Sequence, residues 1–175
     1  KSEIERFAPD LNTLMITGNA QEREEKVRQA EEYDVLITSY DLLRRDVEFY
    51  EDQLFECEII DEAQYIKNHN TQVARSVKII QAGFRAALTG TPVENRLSEL
   101  WSIFDYVMPG FLYPYNKFRE EIESPIVIDN DEKQLQFLQK MIAPFILRRL
   151  KKDVLAFLPE KIEKNMFAKM DGEQW

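Results

Sequence analysis

Short, unbroken apolar runs, each ending in a polar residue, recur through the first half of the chain. Leu14-Met15-Ile16 is followed by Thr17, Val35-Leu36-Ile37 by Thr38, Ile59-Ile60 by Asp61, and Ala86-Ala87-Leu88 by Thr89. Unbroken rather than alternating runs predict strands covered on both faces, as in a parallel sheet. The polar ends lie 21, 23 and 28 residues apart, close to the ~30 residues that a strand–helix–strand crossover needs.

The intervening segments read as helices. Residues 21–32 are nearly all charged, with Glu22/Lys26 and Glu24/Arg28 four apart, which predicts a solvated surface helix with no functional role. Residues 41–54 carry Leu42, Leu43, Val47, Phe49, Tyr50 and Leu54 on one amphipathic face, and residues 71–81 carry Val73, Val77 and Ile80 at helical spacing. The first part of the chain thus reads β-α-β-α-β-α-β, an α/β sheet layered by helices. Beyond residue 92 the pattern turns helical. Leu97, Leu100, Trp101, Phe104 and Val107 form an apolar face that Pro109-Gly110 ends. Helices are expected over 115–123 and 131–142, separated by Ser124-Pro125 and an acidic turn over 129–132. Phe145-Ile146-Leu147 reads as a last short strand. The division that follows is a core over 1–96, a helical insertion over 97–143, and a last strand with a linker over 144–175.

Composition narrows the functions. The 175 residues include 44% hydrophobic and 11% aromatic positions, enough for a packed core and against intrinsic disorder. The longest apolar run is Val154 to Leu158, far short of the ~18–20 residues of a membrane span. One cysteine, Cys57, and one histidine, His69, exclude a disulfide framework, a thiolate metal site and a multi-histidine site. With 23 basic and 32 acidic residues the net charge is −9. Any contact with nucleic acid is then a local patch rather than a broad basic face.

In an open parallel sheet, ligands bind beyond the carboxyl ends of the strands. Thr17, Thr38, Asp61 and Thr89 would share that rim. Asp61-Glu62 offers two adjacent carboxylates directly after a buried strand. The first suits Mg²⁺ held through water, since Mg²⁺ keeps most of its hydration shell. The second can orient or deprotonate an attacking water. One crossover later, Thr89-Gly90-Thr91-Pro92 supplies two hydroxyls and a flexible glycine able to hydrogen-bond the acidic loop. Taken singly, each motif also fits an ordinary surface loop or turn. Their order and distance make the pair specific.

These residues resemble the Swi/Snf family of DNA-dependent ATPases of helicase superfamily two, over nearly the whole chain. Thr38-Ser39-Tyr40 looks like the family's Thr-Ser-Tyr segment, which contacts the DNA backbone. Asp61-Glu62-Ala63-Gln64 resembles the DEAH-type box, with Gln where many members have His, and Tyr65-Ile66-Lys67-Asn68 its basic-Asn extension. Leu88-Thr89-Gly90-Thr91-Pro92 is similar to the third motif. The stretch from Glu94-Asn95-Arg96-Leu97 to Leu100-Trp101-Ser102-Ile103-Phe104 is the most family-specific. Pro144-Phe145-Ile146-Leu147-Arg148-Arg149 with Lys152-Asp153-Val154 resembles the segment leading toward the second motor lobe.

The resemblance implies an α/β, parallel-sheet, RecA-like lobe of the phosphate-loop NTPase type, incomplete and carrying an α-helical insertion. It implies ATP and Mg²⁺ as cofactors, with Asp61 as metal ligand through water and Glu62 activating the water. Gln64, Thr89, Gly90 and Thr91 would couple the nucleotide site to the rest of the motor. Thr38, Ser39, Lys67 and Asn68 would touch DNA phosphates. Such contacts position without reading sequence. Arg148 to Lys152 reads either as a further DNA-facing patch or as a solvated hinge.

The partners implied are double-stranded DNA, a second RecA-like lobe of the same chain, and an unidentified DNA-bound protein that is remodelled. The phosphate loop Gly-x-x-x-x-Gly-Lys-Ser/Thr is absent, and none of the five glycines precedes a lysine. In the family that loop lies upstream of the Thr-Ser-Tyr segment, and the arginine fingers lie in the second lobe. The chain is therefore expected to be most of a first lobe, cut at both ends and unable to hydrolyse ATP alone. Two other readings keep the fold: a non-hydrolysing interaction module and a superfamily-two RNA helicase. The setting expected is intracellular, in the cytoplasm and nucleoid of a bacterium or the nucleus of a eukaryote. The lack of basic tails points toward the bacterial source.

Overall fold

The four expected strands form two parallel ladders. The computed structural model describes residues 1–90 and 96–149. After a short helix α1 (Ser2–Phe7), strand β1 (Thr13–Met15) pairs with β2 (Val35–Ile37), Thr13 opposite Val35 and Met15 opposite Ile37. Strand β3 (Leu54–Ile60) pairs with β4 (Gln81–Ala87), Leu54 opposite Gln81 and Ile60 opposite Ala87. The expected single sheet is thus two two-stranded ladders among the described residues. Side chains rather than backbone hydrogen bonds join them. Ile16, Leu14 and Leu36 of the first ladder lie in one core with Ile60, Phe55 and Ala87 of the second.

Helices fill the crossovers. Asn19 caps α2 (Ala20–Arg28) in a reciprocal box: its side chain accepts from the Glu22 amide, and the Glu22 carboxylate accepts from the Asn19 amide. A 3₁₀ turn over Ala30–Glu32 follows. Ser39 caps α3 (Tyr40–Asp46), which runs into a 3₁₀ turn over Val47–Tyr50. Thr71 caps α4 (Gln72–Ile79). The third strand begins at Leu54, which the apolar pattern placed on a helix. Glu56 and Glu58 broke the apolar run and concealed its strand character. Gly83 and Arg85 did the same for β4.

Burial at Glu58 has a consequence for stability. The Glu58 carboxylate lies 3.3 Å from Arg85 Nε, and the Arg85 guanidinium also donates to the carbonyls of Tyr106 (3.2 Å) and Ile80 (2.5 Å). Burial pushes the Glu58 carboxyl from about 4.5 up to about 7, although Arg85 opposes the rise. The native state therefore keeps a proton that the unfolded chain releases. That contribution is full below about pH 4.5 and is lost as pH rises through about 7. His69 runs the other way, since burial lowers its pKa. Glu58→Gln isolates the carboxyl: between pH 5 and pH 8 its thermal midpoint should gain roughly 5 °C relative to the wild type. A midpoint difference that stays constant over that range refutes the assignment.

Beyond the second ladder lies α5 (Leu97–Val107); of its predicted apolar face Leu100, Trp101 and Phe104 are buried and Leu97 and Val107 half-buried, while Ile103 and Tyr106 are buried as well. Ser102 is buried among them and donates to the Ile66 carbonyl at 2.6 Å. Gly110, at φ +82°, turns the chain after Pro109.

The two expected helices are separate, but the break falls at the acidic turn after Ile128 and not at Ser124-Pro125. Helix α6 (Tyr115–Phe118) continues through a π-helical stretch, Arg119–Glu123, into α7 (Ser124–Ile128). The wider π turn alters the hydrogen-bond ladder just before Pro125, where proline cannot donate, so the helix passes through it. Asp131 then opens α8 (Glu132–Ile142), its carboxylate accepting from the amides of Lys133 and Gln134.

Two compact units divide the chain, Lys1–Leu135 and Gln136–Trp175. The described part of the second holds the end of α8 and a 3₁₀ turn over Ala143–Phe145. The strand expected at 145–147 does not form. Pro144 imposes the turn that ends at Phe145, and among the described residues Ile146 and Leu147 pair with no strand. The apolar run 154–158 and residues Leu150 to Lys152 lie outside the described residues. No described helix is long and apolar enough to cross a membrane.

Candidate nucleotide and DNA site

The rim read from the sequence exists. Thr17, Thr38, Asp61 and Thr89 all follow the carboxyl ends of their strands. The two ladders meet there through Tyr40, whose hydroxyl donates to the Asp61 carbonyl at 2.7 Å. Backbone bonds continue past the strand ends. Leu88 N donates to Ile60 O at 2.8 Å, and Ala63 N donates to Leu88 O at 2.8 Å, which locks the acidic turn to the Leu88-Thr89-Gly90 segment.

Glu62 occupies the left-handed region at φ 52° and ψ 50°. For a residue with a long side chain this conformation costs about 1–2 kcal/mol. Its neighbours hold it there. The Glu62 amide donates to Asp61 Oδ1 at 2.8 Å, and Gln64 Nε2 donates to Glu62 Oε2 at 2.6 Å. At its other end Gln64 accepts from the Thr89 hydroxyl at 3.1 Å. An amide side chain donates and accepts at once, so Gln64 bridges the acidic pair to the segment after β4. Asp61 and Glu62 are both exposed. Among the described residues no three His, Cys, Asp or Glu side chains gather as a metal cage. A single exposed carboxylate fits Mg²⁺ that keeps its own waters and the phosphates of a nucleotide.

Helix α5 supports the segment after the acidic pair. Ser102 holds Ile66, Lys67 Nζ lies 3.4 Å from the Glu99 carboxylate, and His69 packs on Trp101 and Tyr115 with ring centres 5.2 and 4.3 Å away. A cleft of about 400 Å³ opens there, lined by Asn68, Asn70, Arg96 and Tyr115 among others. Thr38 and Ser39 are exposed, with Ser39 capping α3. Lys67 is turned inward, its side chain 10% exposed, and the Asn68 carboxamide accepts from the Asn70 amide. Gly90 is exposed, and a side chain there would meet open space. Thr91 lies outside the described residues, as do Glu94 and Asn95. Arg148 and Arg149 are exposed.

Two features escaped the sequence reading. Tyr40 joins the two halves of the rim. Arg23, on the helix taken as wholly solvated, is 8% exposed and forks onto Asp46, which is 4% exposed. The only signals were Tyr40's place beside Thr38-Ser39 and an arginine flanked by glutamates.

A parallel α/β arrangement, with an acidic pair at one strand end and a hydroxyl segment at the next, is a RecA-like lobe. The chain belongs to the SNF2-related domain family, which matches residues 1–175. It is 39% identical over 99% of its length to an uncharacterised ATP-dependent helicase, MG018, of Mycoplasma genitalium, and covers 16% of that protein. It is 35% identical over 99% of its length to the TATA-binding protein-associated factor MOT1 of Saccharomyces cerevisiae, and covers 10% of it. The Sulfolobus solfataricus SWI2/SNF2 ATPase core in complex with dsDNA superposes with a TM-score of 0.79 at 36% identity, covering 99% of this chain and 36% of that one. The chain thus spans a small part of the relatives it matches.

Proposed function

We propose that the intact parent hydrolyses Mg²⁺–ATP in response to duplex DNA, translocates along the DNA backbone and remodels protein–DNA complexes. The observation that carries this reading is the hydrogen-bonded path Asp61–Glu62–Gln64–Thr89 beside the exposed Thr38 and Ser39, on a fold whose solved relative holds dsDNA. Asp61 would hold the Mg²⁺, which neutralises the charge of the transferring phosphate. Glu62 orients and deprotonates the water. Gln64 and Thr89 carry the state of that carboxylate toward the rest of the motor, with Gly90 and Thr91 completing the segment. Thr38 and Ser39 contact phosphates. Asn68 is better placed for this than Lys67, whose ammonium Glu99 already holds.

These 175 residues alone should not turn over ATP. The β3–β4 ladder leaves Cys57, Ile59 and Phe84 exposed on one face, the last two at 62% and 63%. Parallel strands are ordinarily covered on both faces. We assign the cover to the remainder of the first lobe, which brings the phosphate loop, with the arginines supplied by a second lobe. The parent would then act wherever duplex DNA lies, nucleoid or nucleus.

The test is ATP turnover by the intact parent with no nucleic acid, with duplex DNA and with duplex RNA. Stimulation by DNA alone is expected. Stimulation by RNA selects the RNA-helicase reading. No turnover under any condition selects the interaction module.

A further inference from the structure

The peptide group between Asp61 and Glu62 is pinned at both ends. Its N–H donates to Asp61 Oδ1 at 2.8 Å, and its C=O accepts from the Tyr40 hydroxyl at 2.7 Å. The orientation of that group sets the left-handed Glu62 backbone and hence the direction of the Glu62 carboxylate. One pin is local. The other comes from a different ladder, from the residue that follows Thr38 and Ser39 and begins α3.

We infer that Tyr40 is a positioning residue: its hydroxyl transmits movement of the Thr38-Ser39 segment on DNA to the peptide that aims Glu62. This inference rests on the reading of Asp61 and Glu62 as the ATP-hydrolysing pair. The phenol is suited to the task. Burial pushes its pKa up to about 12, and Asp61, Glu58 and Glu62 add to the rise, so it remains a donor across the working pH range. Its ring packs on Tyr65 at 5.3 Å between centres, which fixes the hydroxyl's direction. Tyr65 belongs to the 3₁₀ turn Ala63–Ile66 that follows Glu62. Tyr40 therefore touches the acidic turn on both sides of Glu62, through the carbonyl before it and the ring three residues after it. This path differs from the Gln64–Thr89 bridge, which touches only the carboxylate end.

The test uses the intact parent. Tyr40→Phe keeps the ring and removes the donor; Tyr65→Phe is the control for the ring pair. Turnover at saturating ATP is followed against duplex DNA concentration. In Tyr40→Phe the ratio of DNA-stimulated to basal turnover should fall about fivefold, with half-saturating DNA unchanged within about twofold. Tyr65→Phe should keep the wild-type ratio. Three outcomes overturn the inference. One is an unchanged ratio; another is a rise in half-saturating DNA with the ratio at saturation kept, which makes the phenol part of the DNA contact; the third is a fall of basal and stimulated turnover by one factor, which makes it a static prop. A wild-type parent without DNA stimulation defeats the underlying reading before any variant is made, and this inference falls with it.

Discussion

Replacing Glu62 by Gln in the intact parent should lower DNA-stimulated ATP turnover by about 10²–10⁴-fold while nucleotide binding persists, the range that a positioned general base contributes. The substitution keeps the side chain's length and the means to accept from Gln64 Nε2, so the 2.6 Å bond and the left-handed backbone have no reason to change. It removes only the basic oxygen. Asp61 is untouched and keeps its place for the metal. Steady-state turnover beside ATP binding checks this, and a loss smaller than about tenfold removes Glu62 from the role. Glu62→Ala should be less informative, because it also releases Gln64 and through it the Thr89 hydroxyl.

The second large effect lies away from the rim. Asp46→Ala strips the buried Arg23 of its two charged bonds and leaves only the bond from Nη1 to the Gly18 carbonyl at 2.6 Å. Breaking one half of a buried pair is far more damaging than replacing both halves with apolar groups. The thermal midpoint should fall by about 10 °C in Asp46→Ala. The double replacement Arg23→Met with Asp46→Leu should recover most of that loss. Equal midpoints for the single and double variants would show that the pair is not coupled. The Gly18 loop should loosen in the double variant, which removes that bond. Gly18 sits at φ +109°, where any side chain would also collide with the Glu22 carboxylate, and Arg23 holds its carbonyl.

Local signals made most of this legible in the sequence. The four polar strand ends were visible because buried parallel strands leave unbroken apolar runs, and Asp61, Glu62, Gln64 and Thr89 stood out by position. The full lengths of β3 and β4 were not visible. Glu58 and Arg85 face each other as an ion pair across the ladder, and such a pairing leaves no periodic mark. Arg23 was hidden for the same reason: a buried charge reads as surface until its partner, 23 residues away, is known. Pro125 was misread because proline normally ends a helix, and the π turn that accommodates it has no composition of its own. Lys67 reads from its motif as a phosphate contact, and its pairing with Glu99, which α5 brings from 32 residues downstream, lies further than motif reading reaches.

The Arg96 side chain does not cap α5, and the carboxylate that meets its first turn is borrowed. Ser98 N donates to Glu123 Oε1 at 3.0 Å, from the π-helical stretch. The helical region therefore closes a ring of dependence with the chemistry. Glu123 steadies the start of α5, α5 holds Ile66 through Ser102, and Ile66 ends the turn that follows Glu62. An engineer who trimmed residues 111–130 as a dispensable excursion would remove the acid that neutralises a helix start two steps from Glu62. A graft in its place would have to return both a carboxylate to the Ser98 amide and apolar cover for Trp101, against which Tyr115 packs.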